Sequence, residues 1–176
     1  VKIVNWSKNL GELGNMNALL AKASGRFFSW LADDDLYAPD FFVECKSALE
    51  MFNYPTAVFT ELQYFRNIEE IKQPSGPMKK TLFSGQEFLD LYIQQKIDTA
   101  PCCAFFETKY LRAVDGIQKL GTGFSPSSDV LLGIQAATLD QIAYVEAPLL
   151  YVRTHEQSIS FTSTDSGSVP ASSRDS

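Results

Sequence analysis

Three consecutive carboxylates, Asp33, Asp34 and Asp35, stand where an apolar run stops. Adjacent carboxylates repel one another, so such a cluster is costly unless it is solvated or occupied by a cation. A hard divalent ion such as Mg²⁺ prefers oxygen ligands. It often takes only one or two protein carboxylates, with substrate phosphates completing the shell. The same residues would also serve as a solvated acidic turn capping the next helix. The surrounding elements must decide between the two.

The residues before the cluster, Arg26 to Ala32, are short, apolar and aromatic, and read as a buried strand. The carboxylates then sit at the carboxyl end of that strand, where open α/β sheets bind ligands. Val1 to Trp6 alternates and is β-branched, which predicts another strand. Ser7 to Gly14 reads as a glycine-punctuated loop, and Asn15 to Ser24 as a helix with Asn15 as N-cap and Gly25 as stop. Strand, helix, strand is the grammar of an α/β sheet. The glycines lack the dinucleotide fingerprint and the Lys-Ser/Thr of a P-loop.

Pro39 and Asp40 open a helix over Phe41 to Met51, with Phe42, Cys45, Leu49 and the following Phe52 on one face. A strand is expected over Thr56 to Phe65, then a mobile loop over Asn67 to Lys80. Ser84 and Glu87 form a capping-box pattern at the start of a helix reaching Gln95. Further on, the pattern predicts a strand over Pro101 to Phe106, a helix over Glu107 to Val114, and a helix that starts at Asp129 and runs to Leu139. Two short strands follow, Ile142 to Val145 and Pro148 to Val152. One domain is expected over 1–160, and 161–176 reads as a disordered Ser-rich tail.

Composition narrows the function classes. The chain has 176 residues, 45% hydrophobic and 20% charged, as expected of an ordinary globular domain. A net charge of −6 argues against sequence-independent nucleic-acid binding. The three cysteines, two of them adjacent, do not form a disulfide framework. Cys102 and Cys103 read as small hydrophobes in an apolar run, and one histidine supplies a Cys/His zinc site poorly. No stretch approaches the ~20 apolar residues of a membrane span. The default compartment is the cytoplasm, including its membrane periphery.

Four segments in order carry a resemblance. They are Asn9-x-Gly11-x-x-Gly14-Asn15-x-Asn17; Phe27-Phe28-x-x-Leu31-x-Asp33-Asp34-Asp35-x-Tyr37-x-Pro39; Phe124-x-x-x-Ser128-Asp129-x-x-Leu132; and Pro148-Leu149-Leu150-Tyr151-Val152-Arg153-Thr154-His155 with Ser158 and Ser160. Together they resemble a family-2 glycosyltransferase with the GT-A fold, a three-layer α/β/α sandwich. The resemblance covers residues 1–160. It implies transfer of a sugar from a nucleoside-diphosphate sugar to a hydroxyl acceptor, whether glycan, lipid-linked or other, as in cell-surface polysaccharide synthesis. A divalent cation, Mg²⁺ or Mn²⁺, would stabilise the diphosphate leaving group as a Lewis acid.

By that resemblance Asp34 is the metal ligand of a DxD-type motif, and His155 contacts metal or pyrophosphate. Asp33 and Asp35 bind donor ribose or metal-bound water, and Arg153, Lys8 and Asn9 also face the donor. Asp129 matches the general base of inverting members. The family more often has Asp at the position of Ala32 and an acid at that of Ser128, so the division of labour within the cluster is open. The resemblance also leads to the expectation of two strands ahead of Val1 that shape the nucleoside pocket; without them the chain would bind donor poorly by itself. Two other readings use the same residues. One is a non-catalytic carbohydrate-binding or interaction remnant. The other is a Mg²⁺-dependent phosphotransferase, for which no phosphate-cradling loop or nucleophile is visible.

Overall fold

The computed structural model of the chain describes residues 2–119, 128 and 130–155. In chain order the elements are helix α1 (Gly11–Lys22), strands β1 (Phe27–Phe28) and β2 (Leu36–Tyr37), helix α2 (Phe41–Met51), strands β3 (Ala57–Phe65) and β4 (Lys80–Phe83), helix α3 (Gly85–Ile93), strand β5 (Phe105–Glu107), helices α4 (Thr108–Ala113) and α5 (Val130–Gln135), and strand β6 (Ile142–Arg153). Short 3-10 turns occupy Ile68–Glu70, Pro101–Cys103 and Ala136–Thr138.

The long parallel pair β3 and β6 forms the centre of a mixed sheet ordered β1-β5-β3-β6-β2. The outer edge of β6 is shared end to end. Strand β4 pairs antiparallel with Ile142 to Val145, and β2 pairs antiparallel with Leu150 and Tyr151. Between these two stretches the register slips: Val145 faces Thr60, whereas Leu150 faces Leu62. The bulge lengthens β6 relative to β3 and delivers its end to the aspartate turn.

Side-chain alternation divides the core between the two faces of the sheet. Ala57, Phe59, Ile142 and Tyr144 pack with Leu20 of α1, Phe88 of α3, Leu111 of α4 and Leu132 of α5. Val58, Ala143, Val145, Ala147 and Leu149 pack with Phe41, Cys45, Ala48 and Leu49 of α2. Helices on both faces make the three layers. In α2 the spacing of Phe41, Cys45, Ala48 and Leu49 is that of one helical face, and all four are buried. Phe41, rather than Phe42, is the inward aromatic; Phe42 is 56% exposed. Removing a fully buried Phe such as Phe41 costs about 3–5 kcal/mol.

Several elements differ from the sequence pattern. Lys2 to Trp6 is not a strand: Ile3 is exposed, and among the described residues no strand pairs with this segment. Trp6 instead donates its indole N–H to Asn15 Oδ1 at 2.9 Å. Helix α1 begins at Gly11, so Asn15 lies inside it, and Leu10 occupies the N-cap. Its last carbonyls are capped by a side chain, because the Arg112 guanidinium donates to Leu20 O, Ala21 O and Ala23 O. The Pro101 segment forms a 3-10 turn before β5, and the two short C-terminal strands are one strand, β6. The Asn67 to Lys80 loop is organised by Glu70. Its carboxylate accepts from Arg66 N and Asn67 Nδ2, and Gln63 bonds both Glu70 O and Lys72 N. The capping box at α3 forms as expected, with Ser84 and Glu87 bonding reciprocally.

Candidate active site

The antiparallel pairing of Leu36 with Tyr151 sets the geometry of the aspartate turn. It places Asp35, one residue before β2, beside Arg153 at the end of β6. Arg153 donates its backbone N–H to Asp35 Oδ1 at 2.9 Å. Burial raises the Asp35 pKa, the Arg153 hydrogen bond opposes the rise, and the neighbouring Asp34 and Asp33 charges add to it. Two residues past Arg153, His155 Nε2 lies 3.0 Å from Asp34 Oδ2. Both of these side chains remain about two-fifths exposed, at 40% and 37%. The Arg153 guanidinium lies over the Phe65 ring at 5.2 Å, and its buried Nε has no hydrogen-bond partner among the described residues. Thr154 N–H bonds Phe65 O at 2.8 Å, tying the ends of β3 and β6 together. The turn and the closing segment, far apart in sequence, therefore form one cluster of Asp33, Asp34, Asp35, Arg153 and His155.

A second set of contacts holds the turn from behind. Tyr37 donates its hydroxyl to Trp30 O at 2.7 Å, closing the loop that contains the three aspartates. Ser29 Oγ lies 2.5 Å from Tyr37 Oη and donates to Cys103 O at 2.8 Å. Burial holds the Tyr37 phenol protonated well above its usual range. Its ring stacks on Phe41 at 3.8 Å, so the turn is anchored to the core of α2. Trp30 donates its indole N–H to Met16 O at 3.0 Å and its backbone N–H to Cys102 O at 3.4 Å. Sequence reasoning included Tyr37 in the motif without a role and missed Ser29. The available signal was an aromatic hydroxyl two residues past an acidic turn.

Lys8 and Asn9 lie elsewhere. They line a shallow depression of about 460 Å³ with Asn5, Trp6, Glu12 and Asn15. Asn9 Oδ1 accepts from Gly11 N at 2.8 Å and shapes the entry to α1. Among the described residues, no hydrogen bond or ion pair joins Lys8 or Asn9 to the aspartates. Asp129 lies outside the described residues, next to the start of α5.

The donor set can be tested against a divalent cation. Among the described residues no group of three or more His, Cys, Asp or Glu side chains is placed to hold a metal. Asp34 and His155 offer one carboxylate and one imidazole at contact distance, both open to solvent. Asp35 has one oxygen committed to the Arg153 amide. Two protein ligands suit an ion whose shell is completed by substrate phosphates and water, and do not suit a closed protein cage.

A family signature described as Glycosyl transferase family 2 matches residues 1–114. The chain belongs to this family. The match ends before Asp129, Arg153 and His155, so Arg153 and His155 rest on geometry and sequence pattern and Asp129 on sequence pattern alone. A comparison with curated protein sequences gives no match. Solved structures show the same fold. S. aureus TarS 1–349 aligns with TM-score 0.61 and 15% identity over 84% of this chain and 42% of that one. Its complex with UDP gives 0.61 and 14% over 86% and 43%, and its complex with UDP-GlcNAc gives 0.60 and 14% over 87% and 40%. The family-2 chain has the GT-A fold and spans about two-fifths of TarS 1–349. No helix among its described residues is long and apolar enough to cross a membrane.

Proposed function

We propose that this family-2 domain binds a nucleoside-diphosphate sugar at the Asp33–Asp35 turn and transfers the sugar, with inversion, to an acceptor hydroxyl. One observation carries the reading: Asp34 and His155 meet at 3.0 Å at the carboxyl end of the central parallel strand pair. Ligands of open α/β sheets bind at that end. The binding of UDP and UDP-GlcNAc by S. aureus TarS, which shares the fold, makes a uridine diphosphate the first donor class to try.

Asp34 and His155 would hold a divalent cation, Mg²⁺ or Mn²⁺, which when bound supplies positive charge against the leaving diphosphate. Asp35, fastened to the Arg153 amide, sets the orientation of the turn. Arg153 has a guanidinium Nε without a partner among the described residues and lies next to the cation site, where an anionic diphosphate would meet it. Asp129, one position before α5 in the sequence, takes the acceptor proton as general base. Lys8 and Asn9, on the separate depression, bind the nucleoside end. The acceptor is a glycan, lipid-linked or other hydroxyl, and the reaction takes place in the cytoplasm or at its membrane surface.

The test uses the intact polypeptide that carries these residues. Calorimetric titration with UDP and Mn²⁺ is compared for the native protein and Asp34→Ala, and sugar transfer for the native protein and Asp129→Asn. The expected result is loss of metal-dependent UDP binding in the first and loss of transfer with retained UDP binding in the second. Unchanged UDP binding in Asp34→Ala would remove the metal-site assignment. Transfer at the native rate in Asp129→Asn would remove the base.

A further inference from the structure

Cys102 and Cys103 are adjacent in sequence and converge in space. Their sulfurs are 3.6 Å apart within the 3-10 turn Pro101–Cys103. Cys103 is buried and Cys102 is half-buried, so Cys102 is the member of the pair nearer to solvent. The third thiol provides an internal contrast. Cys45 is fully buried on the inner face of α2, and burial pushes its pKa up to about 12, which keeps it protonated and unreactive.

The backbone of this turn is wired to the aspartates. Cys102 O accepts from Trp30 N, and Cys103 O accepts from Ser29 Oγ at 2.8 Å, with Tyr37 Oη 3.5 Å away. Trp30 and Tyr37 are the residues that bracket the segment carrying Asp33, Asp34 and Asp35. Cys102 O belongs to the peptide group linking the two cysteines. Consecutive Cα atoms of a trans peptide are about 3.8 Å apart, below the usual disulfide range of about 4.4–6.8 Å. A bond between these sulfurs therefore forms only if that peptide group turns, and it is strained and easily reduced.

We propose that Cys102 and Cys103 are a reversible oxidation site: a hydroperoxide converts them to a vicinal disulfide that turns the Cys102 carbonyl away from Trp30 and loosens the aspartate loop. The Cys102 thiolate attacks the peroxide oxygen, giving a sulfenic acid and releasing an alcohol, or water from hydrogen peroxide. The Cys103 sulfur then attacks the sulfenic sulfur, and the second oxygen leaves as water. Two thiols lose two electrons and two protons in all, and the peroxide takes them up. A cellular dithiol reverses the step. The oxidation itself does not depend on what the aspartates bind.

The experiment treats the native chain with hydrogen peroxide and measures intact mass, alkylation of each cysteine, and amide exchange across residues 29–36. The expected result is a loss of about 2 Da, protection of Cys102 and Cys103 from alkylation in one and the same molecule, and recovery with dithiothreitol. Exchange at the Trp30 amide should rise by about tenfold or more on oxidation. Cys102→Ser should abolish the 2-Da loss and leave exchange insensitive to peroxide. If that variant does not fold, phenylarsine oxide on the native chain replaces it, and one arsenic bridging both thiols is the supporting result. Separate overoxidation of the two sulfurs, linkage through Cys45, or a disulfide that leaves Trp30 exchange unchanged would each overturn the proposal.

Discussion

His155 Nε2 and Asp34 Oδ2 lie 3.0 Å apart although 121 positions separate them in the chain. Both side chains are open to water, so their mutual attraction contributes little to folding, under about 1 kcal/mol. Asp34→Asn and His155→Ala should therefore leave the urea unfolding midpoint nearly unchanged. If the pair holds a cation, Mn²⁺-dependent UDP binding should weaken by about tenfold or more in each, because several kcal/mol of charge stabilisation pass through those ligands. A calorimetric double-mutant cycle should show strong non-additivity in binding and near-additivity in stability.

Asp35 predicts a pH effect of known sign. Its folded-state pKa is raised, chiefly by burial, so the folded chain keeps the proton to higher pH than the unfolded chain does. Stability contributed by the neutral form is present in acid and is lost as pH rises through the raised value. Asp35→Asn keeps an oxygen for the Arg153 amide and removes the titration. Relative to the native chain it should gain stability as pH rises through the carboxylate range, with no gain in stronger acid. Urea unfolding at acid and neutral pH measures this.

Tyr37→Phe tests the brace behind the turn. The variant keeps the ring stacked on Phe41 but deprives Trp30 O of its 2.7 Å donor and Ser29 Oγ of its neighbour. Chemical denaturation should show a loss of about 1–2 kcal/mol. Amide exchange over 31–36 should rise, while α3 and α4 stay protected.

Gly85→Ala tests the packing under α5. A Cβ at Gly85 would lie 2.5 Å from both Ala137 O and Leu139 O and 2.6 Å from Ala136 O. Backbone oxygens cannot swing aside as a side chain can, so the start of α3 and the turn after α5 must separate. Overpacking of this kind costs about 1–3 kcal/mol. A lowered melting temperature together with impaired transfer would mark α3 as the support of the helix that follows Asp129.

The sequence made the amphipathic helices readable. Helix α2 has the expected bounds, and α3 begins at the capping box of Ser84 and Glu87, because both signals are local. Strands were harder to read, since a strand depends on its partners. Lys2 to Trp6 has strand-forming residues but no strand partner among the described residues, whereas Ile142–Arg153 continues through Pro148 because β3, β4 and β2 flank it. In the candidate site, the order of motifs foreshadowed the meeting of the aspartates with Arg153 and His155. Local spacing could not reveal Tyr37 to Trp30 O, Ser29 to Cys103 O, or the pairing of Asn17 with both backbone groups of Ile117, since each needs the finished fold.

The pairing of β2 with β6 also sets a schedule for biosynthesis. Leu36 and Tyr37 have no strand partner until Leu150 and Tyr151 have been made, and Asp35 has no amide donor until Arg153 follows. At about 5–20 residues per second, the aspartate turn stays open for several seconds of translation. The loop that must then close is long, which favours late assembly. A ribosome stalled before residue 150 would hold a chain with α2 able to form and the aspartate turn unassembled.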